Sequence, residues 1–305
     1  MARLHIDFMG KRNIFFAISG VLVLASVLAV AFIGLKFGVE FQGGTVMTFQ
    51  TPPGVTVEEV RDALVQADVA NAQNATIQPT DNNGFIVRTA EKDVAVAEQE
   101  MAKVASTLGV KSQDVNVTTI GAGWGANVTR AAIIALVISI LAILLYVSLR
   151  FEYKMSVTAV LALVHDTMIV LGVYVLAGRE MTPNTVAALL TIIGYSLYDT
   201  IVVFHRIREN TMAVGKRTFM DMANESINQV FIRWVNTAMT QIIPVLCLLF
   251  FGGETLRDFA FAMTVGLISG AYSSIFLASP LYAVWKETEP RYQALKKKYA
   301  SAKVS

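Results

Sequence analysis

The chain has 305 residues, 54% hydrophobic and only 16% charged, with a mean hydropathy of +0.54. A soluble domain carries more charge, so a soluble protein is excluded, and the net charge of +2 gives no sign of nucleic-acid binding. A single cysteine, Cys247, excludes a disulfide framework or a thiolate metal site; lying inside an apolar run, it reads as a small packing residue.

Crossing about 30 Å of hydrocarbon takes roughly 20 apolar residues. Six runs qualify: 14–35, 127–148, 156–177, 183–204, 230–251 and 259–284. The first exceeds the apolar core of about 7–15 residues in a cleavable leader and reads as an anchor. Lys and Arg gather on alternate connections: Arg3, Lys11 and Arg12 before the first run, then Arg150 and Lys154, then Arg206, Arg208, Lys216 and Arg217, then Lys286, Arg291 and Lys296–Lys298. The other connections carry Arg179 with Glu180, and Glu254, Arg257 and Asp258. This bias predicts both termini cytoplasmic.

Between the first two runs lies a stretch of soluble composition; residues 38–122 hold eleven Asp/Glu against five Lys/Arg. Residues 44–50 are β-prone, and TPPG breaks them. Thr56 and Glu59 have capping-box spacing for a helix to about Asp68. Strands are expected at 74–79 and 84–90 around an Asp-Asn-Asn-Gly turn, a helix at 93–108 and a last strand over Asp114–Ile120. The order β-α-β-β-α-β is that of the ferredoxin-like split βαβ unit. With no His, Cys or clustered carboxylates, this external domain suits binding or mechanical contact, or a plain spacer.

The spans hold ionisable groups, each costing a few kcal/mol in hydrocarbon. Asp199 stands in GYSLYDTIVVFHRIREN (194–210), where Thr200–Phe204 stays apolar, so the carboxylate faces other helices or a wet pocket rather than headgroups. In the fifth run Arg233, Asn236, Thr237, Thr240, Gln241 and Pro244 recur at helical spacing, a polar stripe expected to face Asp199. Interhelical hydrogen bonding, or an Arg233 reaching to phosphates, are the alternatives. His165–Asp166 lies mid-span in the third run, as relay support or a buried tie between helices. Gly266, Gly270 and Ser274, beside Ser269 and Ser273, form a small-residue seam for helix packing. A carboxylate near an Arg-headed stripe suits proton coupling, because protonation removes charge and changes which packing is favoured. Tyr195 and Tyr198 flank Asp199 as further support. The glycines at 43–44, 121–125 and 252–253 lack a P-loop ending, which argues against direct use of ATP.

These residues resemble the SecD/SecF family of protein-export membrane proteins, within the resistance-nodulation-division superfamily, and in particular its smaller, SecF-type half. GYSLYDTIVVFHRIREN is similar to the family's GYS-x-x-D-[ST]-[IV]-V-V…RIREN signature, and GVEFQGGT (38–45) to its GVDFTGGT-like motif. The FGG and FA-x-x-x-x-VG stretches of 251–266 and YSSIFLASPL (272–281) are similar to its last span. The family's functional Asp falls on Asp199 and its functional Arg on Arg233. Departures are Tyr198 for Asn, His205 for Asp, Trp234 for Thr and Glu40 for Asp, which change donors and bulk around the site.

The resemblance implies a proton-driven translocation accessory rather than an enzyme, with protons as coupling ion and no cofactor or metal. Its implied partners are SecD, the SecYEG channel, YajC and YidC, the lipid bilayer and an unfolded polypeptide in transit, in a bacterial inner (cytoplasmic) membrane. A small-molecule exporter of the same superfamily and a non-catalytic Sec scaffold are the competing readings. The expected fold is an α-helical polytopic membrane protein of six transmembrane helices with one α+β external domain. Residues 1–36 form the N-terminus and first helix, 37–124 the ferredoxin-like domain, 125–285 helices two to six, and 286–305 a basic tail.

Overall fold

A computed structural model describes residues 5–80, 83–111, 114–212, 215 and 217–300. Arg3, Asp81, Asn82, Lys216 and residues 301–305 of the tail lie outside the described residues. The chain divides into two compact units: Met1–Leu35 with Leu136–Arg179 and Asn184–Ser305, and Lys36–Ala135 with Glu180–Pro183.

The first unit is helical. Six helices are long and apolar enough to cross a membrane: Arg12–Ile33, Gly123–Arg150, Tyr153–Leu176, Pro183–Met212, Phe219–Phe251 and Leu256–Glu287. They correspond to α1 (Arg12–Ile33), α5 (Ala122–Arg150), α6 (Tyr153–Leu176), α7 (Pro183–Met212) and α8 (Phe219–Phe251). The sixth is α9 (Glu254–Ser273), a π-helical turn (Ser274–Ala278) and α10 (Ser279–Glu287). The spanning stretches of α6 and α7 are half buried and that of α9–α10 two-thirds buried, against 6% for α5 and α8. The central helices are thus α6, α7 and α9, which also carry most of the buried polar groups of the spans.

Packing among them relies on small residues. A Cβ at Gly172 of α6 would lie 2.6 Å from the Ser26 Cα of α1. On α9, one at Gly266 would lie 2.3 Å from Ile192 Cδ1 and one at Gly270 2.8 Å from Ser196 Cβ, both on α7. The π turn follows from Pro280, which has no N–H to give the carbonyl four residues back; the Ser279 hydroxyl bonds the Ser274 carbonyl at 2.7 Å.

Both α7 and α8 run past the expected span ends, and Ile207, Phe219, Met222 and Ile227 of their overhangs join Phe204 and Tyr282 of α10 in an apolar core. Phe8 joins it, fully buried against Phe231 and Phe276. The segment before α1 is gripped by two asparagines of α8. Asn224 Oδ1 accepts from the Phe8 amide at 2.8 Å, Asn228 Oδ1 from the Ile6 amide at 2.8 Å, and both side chains donate to the Ile6 carbonyl.

Lys154 and Lys286, counted above among the basic connections, are both paired. Both bond Glu289 Oε1 at 2.9 Å, and Lys286 also bonds Glu152 at 2.6 Å. This cluster ties the start of α6 to the junction of α10 with α11 (Pro290–Ala300), where Lys296 pairs with Glu287.

The second unit opens with a short helix, α2 (Val39–Gln42), then β1 (Gly44–Gln50), α3 (Val57–Gln66) and a 3-10 turn (Ala72–Asn74). It continues through β2 (Thr76–Thr80), β3 (Gly84–Thr89), α4 (Val94–Thr107) and β4 (Val115–Ile120). The order β-α-β-β-α-β is the one expected. All strand pairs are antiparallel in the order β2-β3-β1-β4. Thr56 and Glu59 make the predicted capping box, and Asp93 caps α4.

Met47 and Phe49 of β1 stand opposite Val87 and Phe85 of β3, and this face packs on Val60 and Leu64 of α3 and Met101 and Val104 of α4. Alternate side chains point to opposite faces of a strand, which is why the residues between them are polar or partly exposed. The paired glycines before β1 are required by geometry: Gly43 has φ +77°, and a Cβ at Gly44 would lie 2.3 Å from the Thr89 carbonyl. Glu180–Pro183 belongs to this unit, which the sequence did not suggest. The Met181 amide bonds the Lys36 carbonyl at 2.7 Å, and Glu180 meets Thr76 and Arg88.

Candidate functional site

Asp199 sits on α7 at 5% exposure, well inside the helix, which continues to Met212. Among the described residues it has neither a hydrogen-bond nor an ion-pair partner. An ionised carboxylate without a partner is costly in apolar surroundings. Burial and helix continuity place Asp199 among other helices rather than at a span end.

Asp166 is the opposite case. At 1% exposure on α6 it takes part in four hydrogen bonds, three of them accepted from serines. Ser196 of α7 and Ser273 of α9 donate to Oδ2 at 2.7 Å; Ser269 of α9 donates to Oδ1 at 2.7 Å and His165 Nδ1 at 3.0 Å. His165 stacks on Tyr272 of α9 with ring centroids 6.3 Å apart, and its buried Nε2 has no partner. Tyr272 in turn takes the Ser19 hydroxyl and donates to the Phe15 carbonyl, both on α1. Thr200, next to Asp199, meets Ser274 at 2.9 Å. A continuous polar seam thus joins α1, α6, α7 and α9.

The sequence named Asp166, His165 and Ser274 but passed over Ser196 and Thr200, and took Ser269 and Ser273 for packing only. Serine every three or four residues on an apolar helix signals close approach, and nothing in the spacing says that a neighbouring carboxylate collects the hydroxyls.

The polar stripe of α8 does not face Asp199 inside this chain. Arg233, Asn236 and Thr240 are exposed, and Thr237 and Gln241 are half-exposed. Arg233 makes no ion pair among the described residues; only its carbonyl is engaged, by the Thr237 hydroxyl at 2.9 Å. Helical spacing groups residues on one face without fixing where that face turns, and α8 is peripheral. Tyr195 and Tyr198, at 41% and 51% exposure, also point outward from α7. Cys247, expected to pack, is exposed on α8. Trp234, by contrast, buries its indole Nε1 without a partner and stacks on Phe231. Among the described residues no group of His, Cys, Asp and Glu could hold a metal ion.

Six apolar helices whose central members share a buried polar seam define a polytopic membrane protein. Two family models match the chain: the SecD/SecF GG motif at residues 28–51, and the protein export membrane protein SecD/SecF C-terminal model at residues 100–288. The chain is 37% identical to the protein translocase subunit SecF of Streptomyces coelicolor over 97% of this chain and 82% of that one. It is 36% identical to SecF of Thermodesulfovibrio yellowstonii over 92% and 95%. The crystal structure of SecDF from Thermus thermophilus, a translocon-associated membrane protein, superposes with a TM-score of 0.86 at 36% identity, covering 93% of this chain. SecDF in its super-membrane-facing form superposes with a TM-score of 0.71 at 35% identity over 98%. This chain spans 39% and 40% of those two solved chains. The chain belongs to the SecD/SecF family of protein-export membrane proteins, among its SecF translocase subunits.

Proposed function

We propose that this chain uses the proton motive force, through Asp199, to assist late steps of protein translocation at a SecYEG channel, as one half of a pair with SecD. The observation that carries the reading is a buried carboxylate in the middle of a central helix with no partner among the described residues. Such a group gains most from taking up a proton and changes the packing of its helix when it does. Protons are then the only coupling species required.

Pairing with SecD is supported by the outward polar groups Arg233, Asn236, Thr240, Tyr195 and Tyr198, a face that hydrocarbon does not suit and a second set of spans would cover. Arg233 acts on Asp199 through that assembled face rather than by contact within this chain. YajC and YidC are further partners of the assembly. The basic connections support a bacterial inner-membrane placement with both termini cytoplasmic. The sheet unit is then extracytoplasmic, and its antiparallel order β2-β3-β1-β4 supports a ferredoxin-like fold that engages the emerging polypeptide.

The test is late-stage preprotein export into inverted membrane vesicles with and without a proton gradient. Asp199→Asn should assemble normally and lose the gradient-dependent part of export, tenfold or more. A gradient response equal to wild type would make the chain a scaffold.

A further inference from the structure

Asp166 and Asp199 both lie deep within the central helices, and only Asp199 is free of hydrogen bonds among the described residues. Oδ1 and Oδ2 of Asp166 each take two donors, which fills the roughly four acceptor positions of an ionised carboxylate. The three serine contacts, at 2.7 Å, fall in the range of charge-assisted O–H···O⁻ bonds. With His165 carrying its proton on Nδ1, the tautomer that donates to Oδ1, a protonated carboxyl would bring a donor of its own into a shell made of donors. At least one serine would have to turn away, breaking a tie from α6 to α7 or α9.

Ser196 is held from two sides, by Asp166 Oδ2 and by the close approach of Gly270. One turn further along α7, Thr200 is tied to Ser274. Asp199 lies between these two fixed points. The ionisable groups facing the hub are few. His165 lies beside it on α6, Tyr272 on α9 stacks on that ring, and α7 brings Asp199; α1 contributes the Ser19 hydroxyl and no charge. His165 is the sole ion-pair partner of Asp166 among the described residues.

We propose that Asp166 is a positioning residue: a carboxylate that stays ionised through the proton cycle and locks α7 in register against α6 and α9, so that Asp199 alone exchanges the proton. This rests on the reading of Asp199 as the proton site. It separates the two acids by role, one without a partner among the described residues and one held by three serines and His165.

The test is modification by N,N′-dicyclohexylcarbodiimide, which attacks protonated carboxyl groups in apolar surroundings, on membranes carrying the intact assembly, with sites mapped by mass spectrometry across a pH series. In wild type, Asp199 is modified increasingly as pH falls and Asp166 is not. Replacing both donors to Oδ2, Ser196→Ala with Ser273→Ala, makes Asp166 reactive; Ser269→Ala gives a milder form of the same effect should the double variant fail to assemble. Ser196→Ala alone moves the pH of half-modification at Asp199 by about one unit. Ser279→Ala, which removes a hydroxyl of the same seam outside the hub, leaves it in place. Modification of Asp166 in wild type in step with Asp199 would overturn the proposal. So would an Asp166 that stays unreactive when its serines are gone, or an Asp199 profile indifferent to Ser196→Ala. If Asp166 behaves as expected while Asp199 never reacts, the lock stands and Asp199 is not the proton site.

Discussion

Asp166 and Asp199 are the same chemical group in two surroundings, one ringed by serines and the other without a partner among the described residues. Asp199 was legible in the sequence because a carboxylate inside a long apolar run carries an insertion cost that only a function or a partner offsets. Its surroundings were not legible. The stripe headed by Arg233 was visible as a period, but a period does not tell which way a peripheral helix turns, and the stripe faces away from this chain. Arg233→Gln should accordingly leave thermal stability within about 0.5 kcal/mol of wild type, as for other exposed positions, while lowering gradient-dependent export; melting in detergent and the vesicle assay read the two separately. In the sheet unit, Glu100 of α4 is 7% exposed with Oε2 unpartnered. Burial, with the carboxylate of Glu91 nearby, holds its carboxyl above the usual range. A carboxyl raised in this way costs the folded state when it ionises. Glu100→Gln should therefore raise the unfolding temperature of this unit near neutral pH. The gain should fade as the pH drops and Glu100 itself takes a proton, as hydrogen exchange along α4 in the intact chain would record.

Among the elements, those with strong periodicity or explicit caps were found from sequence almost to the residue. The capping box of α3, the helix expected at 93–108 and the β-prone run of β1 are local signals that tertiary packing did not override. Among the elements missed were α2, only four residues long, α11, expected only as a basic tail, and the π turn of Ser274–Ala278, which is set by Pro280 and by packing on Thr200. Close helix approach makes a sharp prediction at Gly172, where any Cβ meets the Ser26 backbone. Gly172→Val should cost about 1–3 kcal/mol by overpacking. Gly20→Ala, with nothing within 4 Å, should be neutral or stabilising by up to about 1 kcal/mol. Thermal unfolding of the two variants in one detergent gives the comparison. At the α10–α11 junction, burial pushes the Glu289 carboxyl up, and hydrogen bonds from Lys286 and Lys154 outweigh it, leaving the group below its ordinary value of 4.5. Because the folded value is depressed, the contribution is complete above pH 4.5 and is lost as pH falls through the folded value. Amide exchange in α11 should quicken only in that acid window, and Glu289→Gln should bring the same fast exchange to neutral pH.

For the molecule as a whole, six spans, their rough boundaries and the sheet unit between the first two were all readable, because hydrocarbon thickness and chain periodicity leave few alternatives. Membership of Glu180–Pro183 in the sheet unit was not readable, since a short connection between two spans carries no sign of what it will pair with. The N-terminal segment has a similar long-range dependence, and it bears on biosynthesis. Ile6 and Phe8 leave the ribosome ahead of all six spans, yet the side chains that receive their amides, Asn228 and Asn224, are made 222 and 216 residues later. The aromatic neighbours of Phe8, Phe231 and Phe276, come later still. Throughout synthesis of the first four spans the leading segment has none of these partners, so its docking is a late event in the life of the nascent chain. A chain arrested before Asn224 should offer that segment to a protease, and the finished chain should close it off.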